Sequence, residues 1–122
     1  MTDPVEHEHD IAGVDEVRPG ESRTFTLECD GRRIEAFLVN YRDTLHAYVN
    51  QCRHVPMTLD WVENRFFTDD GAFILCATHG ALYEPDTGLC VDGPPCGRSL
   101  FRIPLRIEAG RIVVRCPPDP PE

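Results

Sequence analysis

The sequence predicts an all-β fold. Three observations carry this: apolar and polar residues alternate over short segments, turn residues punctuate those segments, and no apolar period of helical spacing lasts beyond one or two turns. With 122 residues and 41% apolar content, the chain has room for a single core.

Residues 1–13 mix Asp3, Glu6, Glu8 and Asp10 with His7 and His9 and show no apolar period, so a mobile arm is expected there. Two lone histidines in a polar tail point to solvation rather than to a metal. The ordered domain is expected over residues 14–115. Phe25, Leu27 and Cys29 alternate with Thr24, Thr26 and Glu28, which makes a first strand with Cys29 facing the core as a small apolar residue. The Asp30-Gly31 turn leads to a strand at 34–39, and Asp43-Thr44 leads to another at 45–49, completing a three-strand meander. His46 lies within that last strand and is expected to have a polar surface role.

Residues 59–64 are the one stretch suited to a short helix. Phe66-Phe67-Thr68, the turn Asp69-Asp70-Gly71 and Phe73-Ile74-Leu75 then predict a hairpin. Farther on, Phe101, Ile103, Leu105 and Ile107 alternate strictly with polar residues or proline. Ala109-Gly110 turns into Ile112-Val113-Val114, closing a second hairpin. In the last segment, 116–122, four prolines lack the amide donor that a ladder needs, so an extended tail is expected.

Twelve basic residues against 21 acidic ones give a net charge of −9, with no basic run that would form a nucleic-acid footprint. An acidic surface steers a small carrier toward a basic docking face. The N-terminus lacks the basic start and apolar stretch of a secretory signal, and no run of about eighteen apolar residues is present to span a membrane. A soluble, cytoplasmic protein is expected, with its six cysteines used for metal binding and as thiols rather than as a disulfide framework. Cys90 and Cys96 flank Val91-Asp92-Gly93-Pro94-Pro95, and two thiols are expected there in preference to a bridge.

Each of two predicted strands ends in a pair of candidate ligands, Cys52-Arg53-His54 and Cys76-Ala77-Thr78-His79. Two thiolates on one iron and two imidazoles on the other are what a mixed-ligand [2Fe–2S] centre requires. Zinc is the chemical rival, since two cysteines and two histidines also make a tetrahedral zinc site. Zinc fingers, however, pair cysteine with cysteine and histidine with histidine, whereas each loop here holds one of each.

The Cys-x-His and Cys-x-x-His pairs resemble those of the Rieske iron–sulfur proteins, with Cys52 and Cys76 at the thiolate positions and His54 and His79 at the imidazole positions. The resemblance runs from about residue 15 to 114. It implies stacked antiparallel sheets with a small inserted cluster-binding subdomain, here about residues 50–97, and one [2Fe–2S] cluster per chain. Gly93-Pro94-Pro95 looks like the family's proline loop, which covers the cluster and limits water access. Amides near Gly80 are expected to donate to sulfur.

The chain also departs from parts of that family. Twenty-one residues separate His54 from Cys76, and the excess, 58–70, resembles an insertion whose aromatics Trp61, Phe66 and Phe67 are expected to pack on the sheet. Rieske proteins of the cytochrome bc type join their ligand loops by a disulfide, where this chain has Met57 and Thr78. They also place a serine donor where this chain has Ala81, while Tyr83 keeps the matching tyrosine. Losing a donor destabilises the more negative, reduced cluster, so a low-potential centre is expected, toward the −150 mV end of the range of roughly −150 to +300 mV.

The resemblance implies a one-electron carrier, not itself an enzyme, that connects a reductase with an oxygenase-like acceptor. A small subunit of a larger oxidoreductase is the second reading. A zinc-stabilised or redox-sensing interaction module is the third.

Overall fold

The computed structural model describes residues 8–29, 31–51, 66–68, 70–76, 80–93 and 97–117. Among the described residues, ten strands form three antiparallel sheets. The outer sheet runs β1 (Glu8–Gly13), β10 (Arg111–Arg115) and β9 (Leu105–Glu108). In the middle sheet the order is β2 (Ser22–Cys29), β3 (Arg32–Tyr41), β4 (Thr44–Val49) and β8 (Arg102–Ile103). A small third sheet holds β5 (Ile74–Leu75), β6 (Leu82–Tyr83) and β7 (Cys90–Asp92). This is the expected all-β architecture of stacked sheets plus a small subdomain.

The centre of the middle sheet, in β3 and β4, is buried on both faces, which explains why Ala36-Phe37-Leu38-Val39 in β3 is continuously apolar rather than alternating. Ile34, Ala36 and Leu38, with Ala47 and Val49 from β4, face the outer sheet's Ala12, Ile112 and Val114. Phe37, Val39 and Tyr48 point the other way, into a second core with Phe66, Ile74, Cys76, Ala81, Tyr83 and Cys90. Phe66 stacks on Phe37 with ring centroids 4.0 Å apart, so the expectation that the inserted aromatics pack on the sheet holds for this residue. Trp61 and the expected helix at 59–64 lie outside the described residues.

The β3–β4 connection is a two-residue loop, Arg42 and Asp43, with both φ values positive (54° and 68°) and Tyr41 paired to Thr44. Positive φ at both central positions matches the twist of the flanking strands. Ala109 (φ 51°) and Gly110 (φ 78°) turn β9 into β10 in the same way.

Three expectations need correction. Residues 8–13 are not an arm: they form β1, paired with β10, and Glu8 and Asp10 are ion-paired with Arg106 and Arg111 at 2.7 and 2.9 Å. The alternation from Phe101 to Ile107 is not one strand. Pro104 has no amide to continue a ladder, so β8 pairs with β4 in the middle sheet while β9 crosses to pair with β10. Cys29 and Cys116 are not thiols but a disulfide with Cα atoms 5.9 Å apart, tying the end of β2 to the segment after β10. Cys29 does face the core as expected, and the bridge also fixes the first residue of the segment read as a tail.

Candidate metal centre

Cys76 follows directly on β5 and is fully buried. Its amide donates to the Ala81 carbonyl at 2.9 Å, and the Gly80 amide donates back to the Cys76 carbonyl at 2.8 Å. These two bonds extend the β5–β6 ladder and join Cys76 to Gly80 and Ala81, the described residues on either side of the Cys-x-x-His segment. Gly80 sits at φ +71°, a conformation that costs glycine little. Its own amide is thus used in this backbone bond, and the other amides near Gly80 at 77–79 lie outside the described residues.

Behind the loop, Ala81 and Tyr83 are fully buried in the same apolar cluster as Cys76, together with Phe66, Ile74 and Cys90. Gly93 lies against this wall: a Cβ added to it would come 2.8 Å from the Cα of Ala81, and its φ is +98°. The chain leading into Pro94-Pro95 therefore packs backbone to backbone on the residue after the ligand loop, and only glycine permits that approach. Cys90 anchors the other side of this segment. Its amide donates to the Arg98 carbonyl at 2.8 Å, its own carbonyl accepts from the Gly97 amide at 3.2 Å, and its Sγ lies 3.1 Å from the Asp92 carbonyl oxygen.

The other ligand pair follows β4. There the Val49 amide donates to the Phe101 carbonyl at 2.9 Å and the Asn50 amide to the Glu35 carbonyl at 2.8 Å, so the strand is held up to the residue before Gln51. Cys52, His54, Met57, Thr78, His79, Pro94, Pro95 and Cys96 lie outside the described residues. Of the expected site, the structure therefore places Cys76, Gly80, Ala81, Tyr83 and Gly93, and brings them together.

The donor set suits a mixed-ligand [2Fe–2S] centre. An uncompensated thiolate is strongly disfavoured in the apolar surroundings of Cys76, whereas a thiolate bound to iron is not. Cys52-x-His54 and Cys76-x-x-His79 are the residues that would hold such a centre, with two sulfurs and two nitrogens between them in the sequence.

Sequence reasoning missed the supports beyond the loops. The Tyr48 hydroxyl donates to the Pro85 carbonyl at 2.9 Å, and a Cβ on Gly88 would come 2.8 Å from the Tyr48 ring. Both contacts pin the β6–β7 connection to the middle sheet. Gly88 between two short apolar runs was the available signal.

Comparison with known proteins agrees with this geometry. The chain is 31% identical over 113 residues to the ferredoxin component of the alkene monooxygenase system of Xanthobacter autotrophicus strain Py2, covering 93% of this chain and 84% of that one. Its fold is similar to the ferredoxin of carbazole 1,9a-dioxygenase from Nocardioides aromaticivorans IC177, with a TM-score of 0.68, 24% identity, and coverage of 88% of this chain and 96% of the other. It is also similar to part of the terminal oxygenase of carbazole 1,9a-dioxygenase from Novosphingobium sp. KA1, with a TM-score of 0.72, 24% identity, and coverage of 95% of this chain but 31% of that one. The Rieske [2Fe-2S] domain profile matches residues 7–117, so this chain belongs to that family and carries one [2Fe–2S] cluster.

Proposed function

We propose that this protein is a Rieske-type ferredoxin that carries single electrons from a reductase to an oxygenase, acting as a component of an oxygenase system rather than as a catalyst. The observation that carries the reading is the buried Cys76, held between the Ala81 carbonyl and the Gly80 amide, in a chain that covers 84% of the ferredoxin component of an alkene monooxygenase system and 96% of a carbazole dioxygenase ferredoxin. When bound, the cluster supplies a one-electron couple.

Cys52 and Cys76 are assigned as the thiolate ligands, and His54 and His79 as the imidazole ligands. Ala81, Tyr83 and Gly93 form the wall behind the second loop, and Pro94 and Pro95 exclude water. Met57 and Thr78 stand where a second bridge would otherwise join the loops. The folded domain is assigned to about 8–117. The net charge of −9 suits docking on a basic face of either redox partner.

Among the described residues, no helix is long and apolar enough to cross a membrane. We assign the carrier to the cytoplasm with the enzymes it would serve. The Cys29–Cys116 bridge departs from ordinary thiol usage in that compartment, so its state in cells tests the assignment.

Metal analysis and electron paramagnetic resonance of the reduced protein test the function. Two irons and two sulfides per chain, with the low average g value of mixed Cys/His ligation, are expected, and His79→Cys should raise that average. Stoichiometric reoxidation of the reduced protein by an oxygenase completes the test. One zinc per chain would refute the reading.

A further inference from the structure

Residues 97–100 run back alongside the start of β7. The Leu100 amide donates to the Gly88 carbonyl at 2.8 Å, Leu89 is bridged to Ser99, and the Cys90 amide donates to the Arg98 carbonyl at 2.8 Å. The Gly97 amide donates to the Cys90 carbonyl at 3.2 Å. The segment that carries Gly93-Pro94-Pro95 therefore departs from Cys90 and is tied back to the same residue.

On its other side, toward β6, the strand is irregular. Tyr83 pairs with Cys90 but Leu82 pairs with Asp92, so Val91 is an extra residue on β7, a β-bulge. Val91 is 40% exposed whereas Cys90 is 2% exposed. The Cys90 thiol spans this bulge: its Sγ donates to the Asp92 carbonyl at 3.1 Å. A bulge re-aims the strand that contains it. Here the next residue is Gly93, whose amide donates to the Asp92 side chain at 3.0 Å and whose backbone packs on Ala81.

The side chain at position 90 has two demands to meet. It is buried among Phe66, Ile74, Cys76, Ala81 and Tyr83, so it must be small and apolar, and it must offer a hydrogen to a carbonyl. A thiol does both, being a small hydrophobe with a weak donor. We propose that Cys90 is a positioning residue: its thiol holds the Val91 bulge, and with it the approach of Gly93 to Ala81, and thereby sets the reduction potential of the metal centre beside Cys76. The inference rests on the function proposed above, in which Cys76 is a ligand and Pro94-Pro95 excludes water. Reduction adds one negative charge to the centre, and water stabilises that charge. Loosening the bulge therefore raises the potential by admitting water.

The test compares intact wild-type holoprotein with Cys90→Ala, Cys90→Val and Cys90→Ser, by protein-film voltammetry at one pH and by hydrogen-exchange mass spectrometry of the peptide containing Gly97. Valine fills the site without a donor, and serine keeps a donor. Cys90→Ala and Cys90→Val should each raise the midpoint potential by about 28 mV or more, a threefold change in the one-electron equilibrium, and should speed exchange in that peptide. Cys90→Ser should restore both readings toward wild type. If Cys90→Ala does not fold, the valine and serine forms carry the comparison. A wild-type potential in Cys90→Val would assign the effect to packing and overturn the proposal. So would a potential in Cys90→Ser as high as that in Cys90→Val, or a raised potential with exchange unchanged. With two irons and two sulfides present, these outcomes overturn the role of Cys90 alone. Their absence from the wild-type protein overturns the proposed function and this inference with it.

Discussion

The Tyr48 hydroxyl donates to the Pro85 carbonyl at 2.9 Å, and this one bond reaches from the middle sheet into the connection between β6 and β7. Burial pushes the phenol above its ordinary pKa, so it remains a donor at neutral pH and well above it. Arg102 lies over the same ring, 5.9 Å from its centroid, and donates to the Asp86 carbonyl. The β6–β7 connection is thus held to the middle sheet by both Tyr48 and Arg102.

Tyr48→Phe should leave the Pro85 carbonyl without its donor and cost about 1 to 3 kcal/mol. Gly88→Ala should cost more, because the added Cβ meets the Tyr48 ring and the backbone sits at φ +79°. Urea denaturation followed by circular dichroism, alongside bleaching of the visible spectrum, measures both. Equal stability of Tyr48→Phe and wild type would remove this bond from the account.

The Cys29–Cys116 bridge closes a sequence separation of 87 residues. Loop-closure entropy for that length gives a stabilisation of about 4 to 5 kcal/mol as an upper value. Cys29→Ser/Cys116→Ser should lower the denaturation midpoint while leaving the cluster's visible spectrum in place, since neither residue is an assigned ligand. Mass spectrometry after alkylation of the unreduced, unfolded apoprotein should show two cysteines protected. Alkylation of all six would show that the bridge does not form.

The sequence makes the meander, the 66–75 hairpin and the β9–β10 hairpin legible because each is local: alternation and turn residues sit within a few positions of one another. What it hides depends on partners far along the chain. Glu8 and Asp10 look like a solvated arm until Arg106 and Arg111 are seen 98 and 101 residues away. The sheet change at Pro104 and the pairing of Cys29 with Cys116 are hidden for the same reason. At the site, ligand spacing identifies the chemistry, but the contact of Gly93 with Ala81 follows only from the fold.

His46 is half-buried in β4 rather than on the open surface. Burial, followed by the nearby Arg102 charge, holds its imidazole below the ordinary value of about 6.5, with Asp86 opposing weakly. The unfolded chain then binds the proton more readily than the folded one. The stability contributed by neutral His46 is fully present above the unfolded pKa and is lost as pH falls through the lower, folded one. NMR titration of the His46 ring should give a midpoint below 6.5, and His46→Gln should remove the corresponding loss of stability on mild acidification. A midpoint above 6.5 would mean that Asp86 dominates instead.

Ala81 offers the most direct control over the potential. It lies fully buried behind the loop headed by Cys76, with Gly93 packed on its backbone, and its methyl group donates nothing. A hydroxyl at this position would favour the more negative, reduced state of the cluster if it donates to a sulfur. Ala81→Ser should therefore raise the midpoint potential, by an amount on the order of 59 mV for each tenfold gain in the one-electron equilibrium. The wild-type protein should titrate toward the −150 mV end of the range of roughly −150 to +300 mV. Protein-film voltammetry of both forms at one pH measures the difference. Ala81→Gly serves as the control: it removes the methyl without adding a donor, so it should not raise the potential. An upward shift in Ala81→Gly as large as that in Ala81→Ser would assign the effect to packing rather than to the hydrogen bond.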